Sequence, residues 1–134
     1  MATDAFAPTR PVALVRRIAR PLWQRVGIAA VLEVPGRRRG RTVRVPLIPA
    51  RLEGKLYLMA FGGVTDWARN LRAAGRGALR YRGRTIVFKA TEVDGAERDR
   101  AIAAYLAGSG PVRRDFNRRP NADDHPTFRV DPIA

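Results

Sequence analysis

The chain has no cysteine, so it can form no disulfide, present no thiol nucleophile and hold no metal through sulfur. It has one histidine, His125. A Ser-His-Asp arrangement would have a single candidate base, and a metal would have to lean on carboxylates. No run of eighteen apolar residues is present, so no transmembrane helix is expected. The first ten residues lack the basic start and apolar middle of a secretory leader, so the expected compartment is the cytoplasm. Lysine is nearly missing: Lys55 and Lys89 stand among 26 basic residues. Acidic residues are scarce too, 12 in all, which leaves a formal net charge of +14. Such a charge implies attraction to anions. Its carrier is Arg, whose planar fork suits phosphate and carboxylate.

What is present fits one domain of 134 residues. Residues 1–10 read as a loose tail. Residues 12–30 space Val12, Val15, Ala19, Leu22 and Val26 three or four apart, as an amphipathic helix does. Its polar side is rich in Arg, so it either packs on the domain or rests on an anionic membrane surface. Strands are expected at 30–34, 42–52 and 55–61, a hairpin over 78–93 turns at Arg82-Gly83, and "TFRVDPI" closes the chain. Between them, Thr65 or Asp66 caps a helix that Gly75 stops. A second helix starts at Asp94, with Glu97 at capping-box spacing. Residues 108–126, rich in Gly, Pro and Asn, read as a mobile loop. This order predicts an α+β, mainly β fold: a small antiparallel barrel with an N-terminal helix and short helices at its rim.

The residues that could carry chemistry are few. His125 lies beside Asp123 and Asp124 in the polar loop and reads as an exposed or turn-capping residue. Asp94, Glu97 and Asp99 read as helix-start carboxylates. No acid-base pair and no metal-ligand set emerges, so any chemistry would come from a bound cofactor. Two stretches could bind one. In "PGRRRGRTVRVPL", Arg37, Arg38, Arg39 and Arg41 occupy a turn that could cradle phosphate or carboxylate, nucleic-acid phosphates included. In "MAFGGVTDWARN", Gly62-Gly63 permits close approach to the backbone, and a helix N-terminus follows. There Trp67 packs on a ring or fills the core, and Asn70 bonds a ligand or a loop.

Together these stretches, with "ALRYRGRTIVFKATEV", "ERDRAIAAYL" and "PTFRV", resemble the deazaflavin-dependent nitroreductase family. The likeness spans roughly residues 31–107 and the closing strand. It implies a split β-barrel, FMN-binding-like, that uses the deazaflavin coenzyme F-420, with FMN or FAD less expected. Carried onto this chain, Arg37, Arg38, Arg39 and Arg41 hold the coenzyme's anionic tail. Val43, Arg44, Val45, Pro46, Leu47 and Ile48 line the ring, and Met59, Ala60 and Phe61 lie by its reactive face. Asp66, Trp67, Ala68, Arg69 and Asn70 grip the phosphate and ribityl region. The implied reaction is hydride transfer to a small electrophile such as a quinone, nitro compound or enone, with no catalytic side chain and no metal. The chain departs from the family's pattern on the substrate side. It has Ala60-Phe61 in place of a Ser-Lys pair, and Tyr105 and Phe116 in place of a cluster of tyrosines. A homodimer is expected by analogy, a nucleic-acid partner is not, and membrane contact through 12–30 would be peripheral. The competing expectations are a non-catalytic cofactor carrier on the same fold and a basic nucleic-acid-binding barrel.

Overall fold

The computed structural model describes residues 30–108 and 110–133, with backbone only at 110 and 111. The tail at 1–10 and nearly all of the helix expected over 12–30 lie outside the described residues. Residue 30 already belongs to a strand.

Alternation sets the first pair of strands. β1 (Ala30–Pro35) buries Ala30, Leu32 and Val34 and pairs antiparallel with β2 (Thr42–Leu47), with Leu32 opposite Val45. Opposed residues share a face, so Val45 and Leu47 turn inward, while Val43, on the same face near the strand's start, stays exposed. Arg44 joins Glu33 on the other face, Nε to Oε2 at 3.3 Å. β3 (Ala50–Leu52) and β4 (Lys55–Met59) follow, then β5 (Arg76–Tyr81), β6 (Arg84–Glu92) and β7 (Thr127–Pro132). Both short hairpins turn on paired positive φ angles, Glu53-Gly54 at 52° and 78° and Arg82-Gly83 at 52° and 76°. That is the turn whose twist matches the flanking strands.

The strands form one seven-stranded antiparallel sheet in the order β2-β1-β5-β6-β7-β4-β3. Its two edges, β2 and β3, are separated in sequence by Ile48 and Pro49 alone. Three residue steps span at most about 11 Å, so the sheet must curl until its edges meet. The result is a split β-barrel. The single strand expected over 42–52 is therefore two, broken at Ile48-Pro49, where proline cannot donate to a ladder.

Leu32, Leu58, Leu79, Phe88 and Phe128 fill the interior. Helix α1 (Asp66–Ala74) closes one end with Ala68 and Leu71, both fully buried. Gly77 permits that approach: a Cβ there would lie 3.0 Å from the Glu33 carbonyl oxygen and 3.4 Å from Leu71 Cδ1. α1 begins and ends as the sequence predicts. The Thr65 hydroxyl accepts from the Ala68 N–H, and Gly75 at φ 72° donates to the Leu71 carbonyl.

Helices α2 (Gly95–Gly108) and α3 (Gly110–Arg118) cover the outer face of β3 and β4. There Tyr57 and Met59 pack with Ile102, Tyr105, Val112 and Phe116 in a second core. β4 is thus buried on both faces. The expected loop over 108–126 is mostly α3 and a 3-10 turn (Ala122–Asp124). Pro111 sits in the first helical turn, where its missing N–H costs nothing, and Val112 and Phe116, four apart, supply the buried stripe.

Glu97 serves the barrel rather than a capping box. It accepts from the Tyr57 hydroxyl at 2.7 Å and from Arg129 Nη1 at 2.8 Å. Arg129 also holds Asp131 through Nε at 2.8 Å, and Thr91 donates to Asp131 at 2.7 Å. The Arg129 guanidinium, then the Tyr57 hydroxyl, draw the Glu97 carboxyl below its ordinary value. Arg129 does the same to Asp131. Burial first, then the bond to Glu97, push Tyr57 up to about 12.

Candidate functional site

β2 and the first turn of α1 together border two cavities. The first, about 310 Å³, is apolar: Pro46, Leu47 and Ile48 form one wall and Met59, Ala60, Phe61 and Gly62 another, with Thr65 and Trp67 at the helix start. Trp67 is half-buried, leaning on Phe128 at 6.2 Å between ring centroids, so part of its indole is left to the cavity. The second, about 510 Å³, is cationic, lined by Gly36, Arg37, Arg38, Arg39, Arg41, Val43, Asp66 and Asn70. Val43 in one and Pro46 in the other are three residues apart on β2, about 10 Å along the strand.

The cationic turn is built, not loose. Gly36 donates to the Arg41 carbonyl at 2.7 Å, and Gly40, at φ 67°, donates back to Gly36. Asn70 reaches from α1 to accept the Arg37 N–H at 3.2 Å. The Arg37 guanidinium donates to the Asp66 carbonyl at 3.2 Å and lies 3.6 Å from the Asp66 carboxylate, which Arg69 also approaches at 3.5 Å. Arg38, Arg39 and Arg41 are exposed, and among the described residues no carboxylate pairs with them. The positive end of α1 adds its N–H groups to the same region. Three guanidiniums without a carboxylate partner and a helix N-terminus, opposed by one carboxylate, give this surface the charge to attract an anion.

Most residues named from the sequence fall on these two cavities. Four do not. Arg44 points to Glu33 on the outer face, and Val45 lies opposite Leu32 on the interior face. Ala68 is sealed in the core, and Arg69 is on the exposed side of α1. On the expected substrate side, Ala60 and Phe61 line the apolar cavity, but Tyr105 and Phe116 lie behind β4, away from it. The Tyr105 hydroxyl donates to the Tyr57 carbonyl at 2.7 Å and accepts from the Met59 N–H at 3.2 Å. It stands in for the strand that ends at Ala50, beyond which Pro49 has no N–H to give. Burial raises its pKa above the ordinary tyrosine value.

Phe116 stacks on His125 with 4.5 Å between ring centroids. His125 is the residue that sequence reasoning misplaced. It is fully buried, not an exposed cap. Its Nδ1 faces the Ala60 carbonyl at 2.9 Å, and its Nε2 faces the Arg119 carbonyl. A neutral ring can donate to only one of these; donating to both takes the imidazolium. A polar run of Asn, Asp and Pro around His125 gave no sign that it folds inward. Among the described residues no cluster of three or more metal-ligating side chains occurs.

An antiparallel split barrel with an apolar slot beside a cationic cradle has the two kinds of surface that a ring-and-tail cofactor would need. The sequence agrees: the model of the F-420H2-dependent quinone reductase family matches residues 12–111, and the chain belongs to that family. Among solved structures it resembles an F-420-H2 dependent reductase at 19% identity and TM-score 0.67, over 78% of this chain and 94% of that one. A protein described as a domain-swapped dimer matches with the same identity and score, over 78% of this chain and 80% of the other. The heme storage protein HutZ from Vibrio cholerae matches at 14% identity and TM-score 0.63, over 84% and 86%. At these identities the likenesses speak for the fold. A search of curated protein sequences returns no match.

Proposed function

We propose that the chain binds the deazaflavin coenzyme F-420 across its two cavities and reduces a small electrophilic acceptor, a quinone by preference. The observation that carries this reading is the adjacency of the cavities along β2. A flat apolar ring with a polyanionic tail needs one surface of each kind, about 10 Å apart. The donor set fits: Arg37, Arg38, Arg39 and Arg41 suit a phosphodiester and carboxylates. Pro46, Leu47, Ile48 and Trp67 suit an aromatic ring. When bound and reduced, the coenzyme supplies a hydride from ring carbon 5. The chain's own part is to hold the ring, exclude water with Met59 and Phe61, and leave room beside Ala60 for the acceptor. A proton from solvent completes the reduction, so the lack of an acid-base pair at the cavity suits this chemistry.

His125 argues against haem in the same barrel. It is the sole histidine of the sequence, and both its ring nitrogens are taken by main-chain carbonyls. A carrier that binds the coenzyme without turnover remains the alternative, because no side chain marks out catalysis. Titration of the protein into the coenzyme, followed by its fluorescence, tests binding. Oxidation of the reduced coenzyme with benzoquinones, nitro compounds and enones tests turnover. No quenching at micromolar coenzyme defeats the proposal; quenching without turnover favours the carrier. The likeness to a domain-swapped dimer supports pairing of two copies, which sedimentation analysis would reveal.

A further inference from the structure

We propose that Arg119 is the acceptor-recognition residue of this site, holding the oxygen of a quinone as it becomes negatively charged. The proposal rests on the coenzyme-dependent reading above, but on residues that reading does not use. Arg119 lies beyond the matched residues 12–111.

Its backbone is fixed from both sides. Its N–H donates to the Phe116 carbonyl at 2.9 Å, and its carbonyl faces His125 Nε2. His125 in turn holds the carbonyl of Ala60, a wall residue of the apolar cavity. One imidazole therefore sets the distance between the cavity wall and the root of the Arg119 side chain. From that root the side chain crosses Gly63. A Cβ placed on Gly63 would touch Arg119 Cδ at 3.7 Å and Nε at 3.8 Å. Gly63 lies in the turn between Gly62 and Thr65, both lining residues, so Arg119 crosses the turn that borders the slot, and its guanidinium starts within a side chain's reach of the rim. Gly63 has φ 107°, a conformation that keeps the turn low and free of a side chain there. Arg119 is exposed, and among the described residues no carboxylate pairs with it. Asp66 is engaged by Arg37 and Arg69, Asp115 by Arg118, and Asp123 by Arg98.

A free cation at the edge of an apolar slot has a specific use in quinone reduction. The quinone accepts a hydride, which brings two electrons and one proton. Both carbonyl π bonds are lost and the ring becomes aromatic, one oxygen ending as a hydroxyl and the other as a phenolate, and the reductant is oxidised by two electrons. A solvent proton then neutralises the phenolate. Arg119 stabilises that transient charge more than it stabilises the neutral quinone, so it acts on the rate more than on acceptor binding.

The test uses Arg119→Gln and Arg119→Lys in the full chain. The probe is 2-hydroxy-1,4-naphthoquinone, an anion at neutral pH, with neutral 2-methyl-1,4-naphthoquinone as its uncharged counterpart. Calorimetric binding of the anion is expected to weaken about tenfold in Arg119→Gln and to recover in Arg119→Lys, with the neutral compound changing less than about twofold. For turnover of the methyl compound, kcat is expected to fall about tenfold with KM nearly unchanged. Equal binding of the anion by wild type and Arg119→Gln overturns the proposal, as does equal loss of both naphthoquinones. Coenzyme titration separates the two levels. If wild type fails to bind coenzyme, the coenzyme reading falls, and the naphthoquinone pair still decides the role of Arg119.

Discussion

The two cavities share a strand and a helix turn, yet they are made in opposite ways. The apolar slot is lined by the ends of core elements. Leu47 packs against the barrel interior, Met59 belongs to the second core, and Trp67 leans on Phe128. Its shape is therefore paid for by folding itself. The cationic cradle is a surface turn whose guanidiniums are exposed, tethered to the fold through Asn70 and Asp66. Disturbing the slot should cost stability and binding together. Disturbing the cradle should cost binding alone, and mainly for a ligand with an anionic tail.

The largest separation is expected from Trp67→Ala. Loss of the half-buried indole should destabilise the fold by about 3 kcal/mol in chemical denaturation, and weaken coenzyme with or without its tail. Retained stability would detach the slot from the core. Next, Arg37→Ala with Arg38→Ala should weaken the long-tailed coenzyme roughly a hundredfold, about 2.7 kcal/mol, with the tail-less form nearly unaffected. Equal weakening of both forms would remove these residues from the tail site.

His125→Leu comes third. It removes the imidazole held between two carbonyls, those of Ala60 and Arg119, and should cost about 2 kcal/mol in stability, while binding at the cradle persists. Salt gives a smaller and reversible contrast. Raising ionic strength from about 0.05 M to 0.5 M should lower affinity for the tailed coenzyme about tenfold and leave the tail-less form within about twofold.

The smallest effect lies far from both cavities. Glu97 and Asp131 titrate lower in the fold than in the unfolded chain. Their contribution is present above the ordinary carboxylate value near pH 4 and is lost as pH falls through the lower folded value. Glu97→Gln should remove about 1 kcal/mol at pH 7 and flatten the acid limb of the stability curve. Tyr57, held protonated, works in the other direction: its share is full below about pH 10 and fades as pH rises through about 12.

The same contrast governs what the sequence disclosed. Strand alternation, the two turns with paired positive φ, and the Thr65 and Gly75 caps are local devices, and each was readable from a few residues. The Arg-rich turn was readable as well, since three Arg residues between two glycines, with a fourth just after, form one short local stretch. Tyr105, Phe116 and His125 depend on tertiary partners. Tyr105 is called inward because β3 stops at Pro49, a deficit that appears only when strands are paired. α3 looked like a loop because its glycine, proline and asparagine act as helix breakers in isolation. Two apolar residues, Val112 and Phe116, were enough once a second face of β4 needed cover. His125 is fixed by carbonyls from Ala60 and Arg119, and Ala60 is distant in sequence.

The link of Ile48 and Pro49 joins the two edges of the sheet, and Ile48 also faces the apolar slot. A molecule lodged there presses against the seam at which the barrel shuts. Ligand occupancy and barrel closure then become one equilibrium. The melting temperature of the protein should climb with the logarithm of coenzyme concentration above its dissociation constant. Hydrogen exchange should slow first in the β2–β3 corner, the signature of a ligand that clasps the barrel.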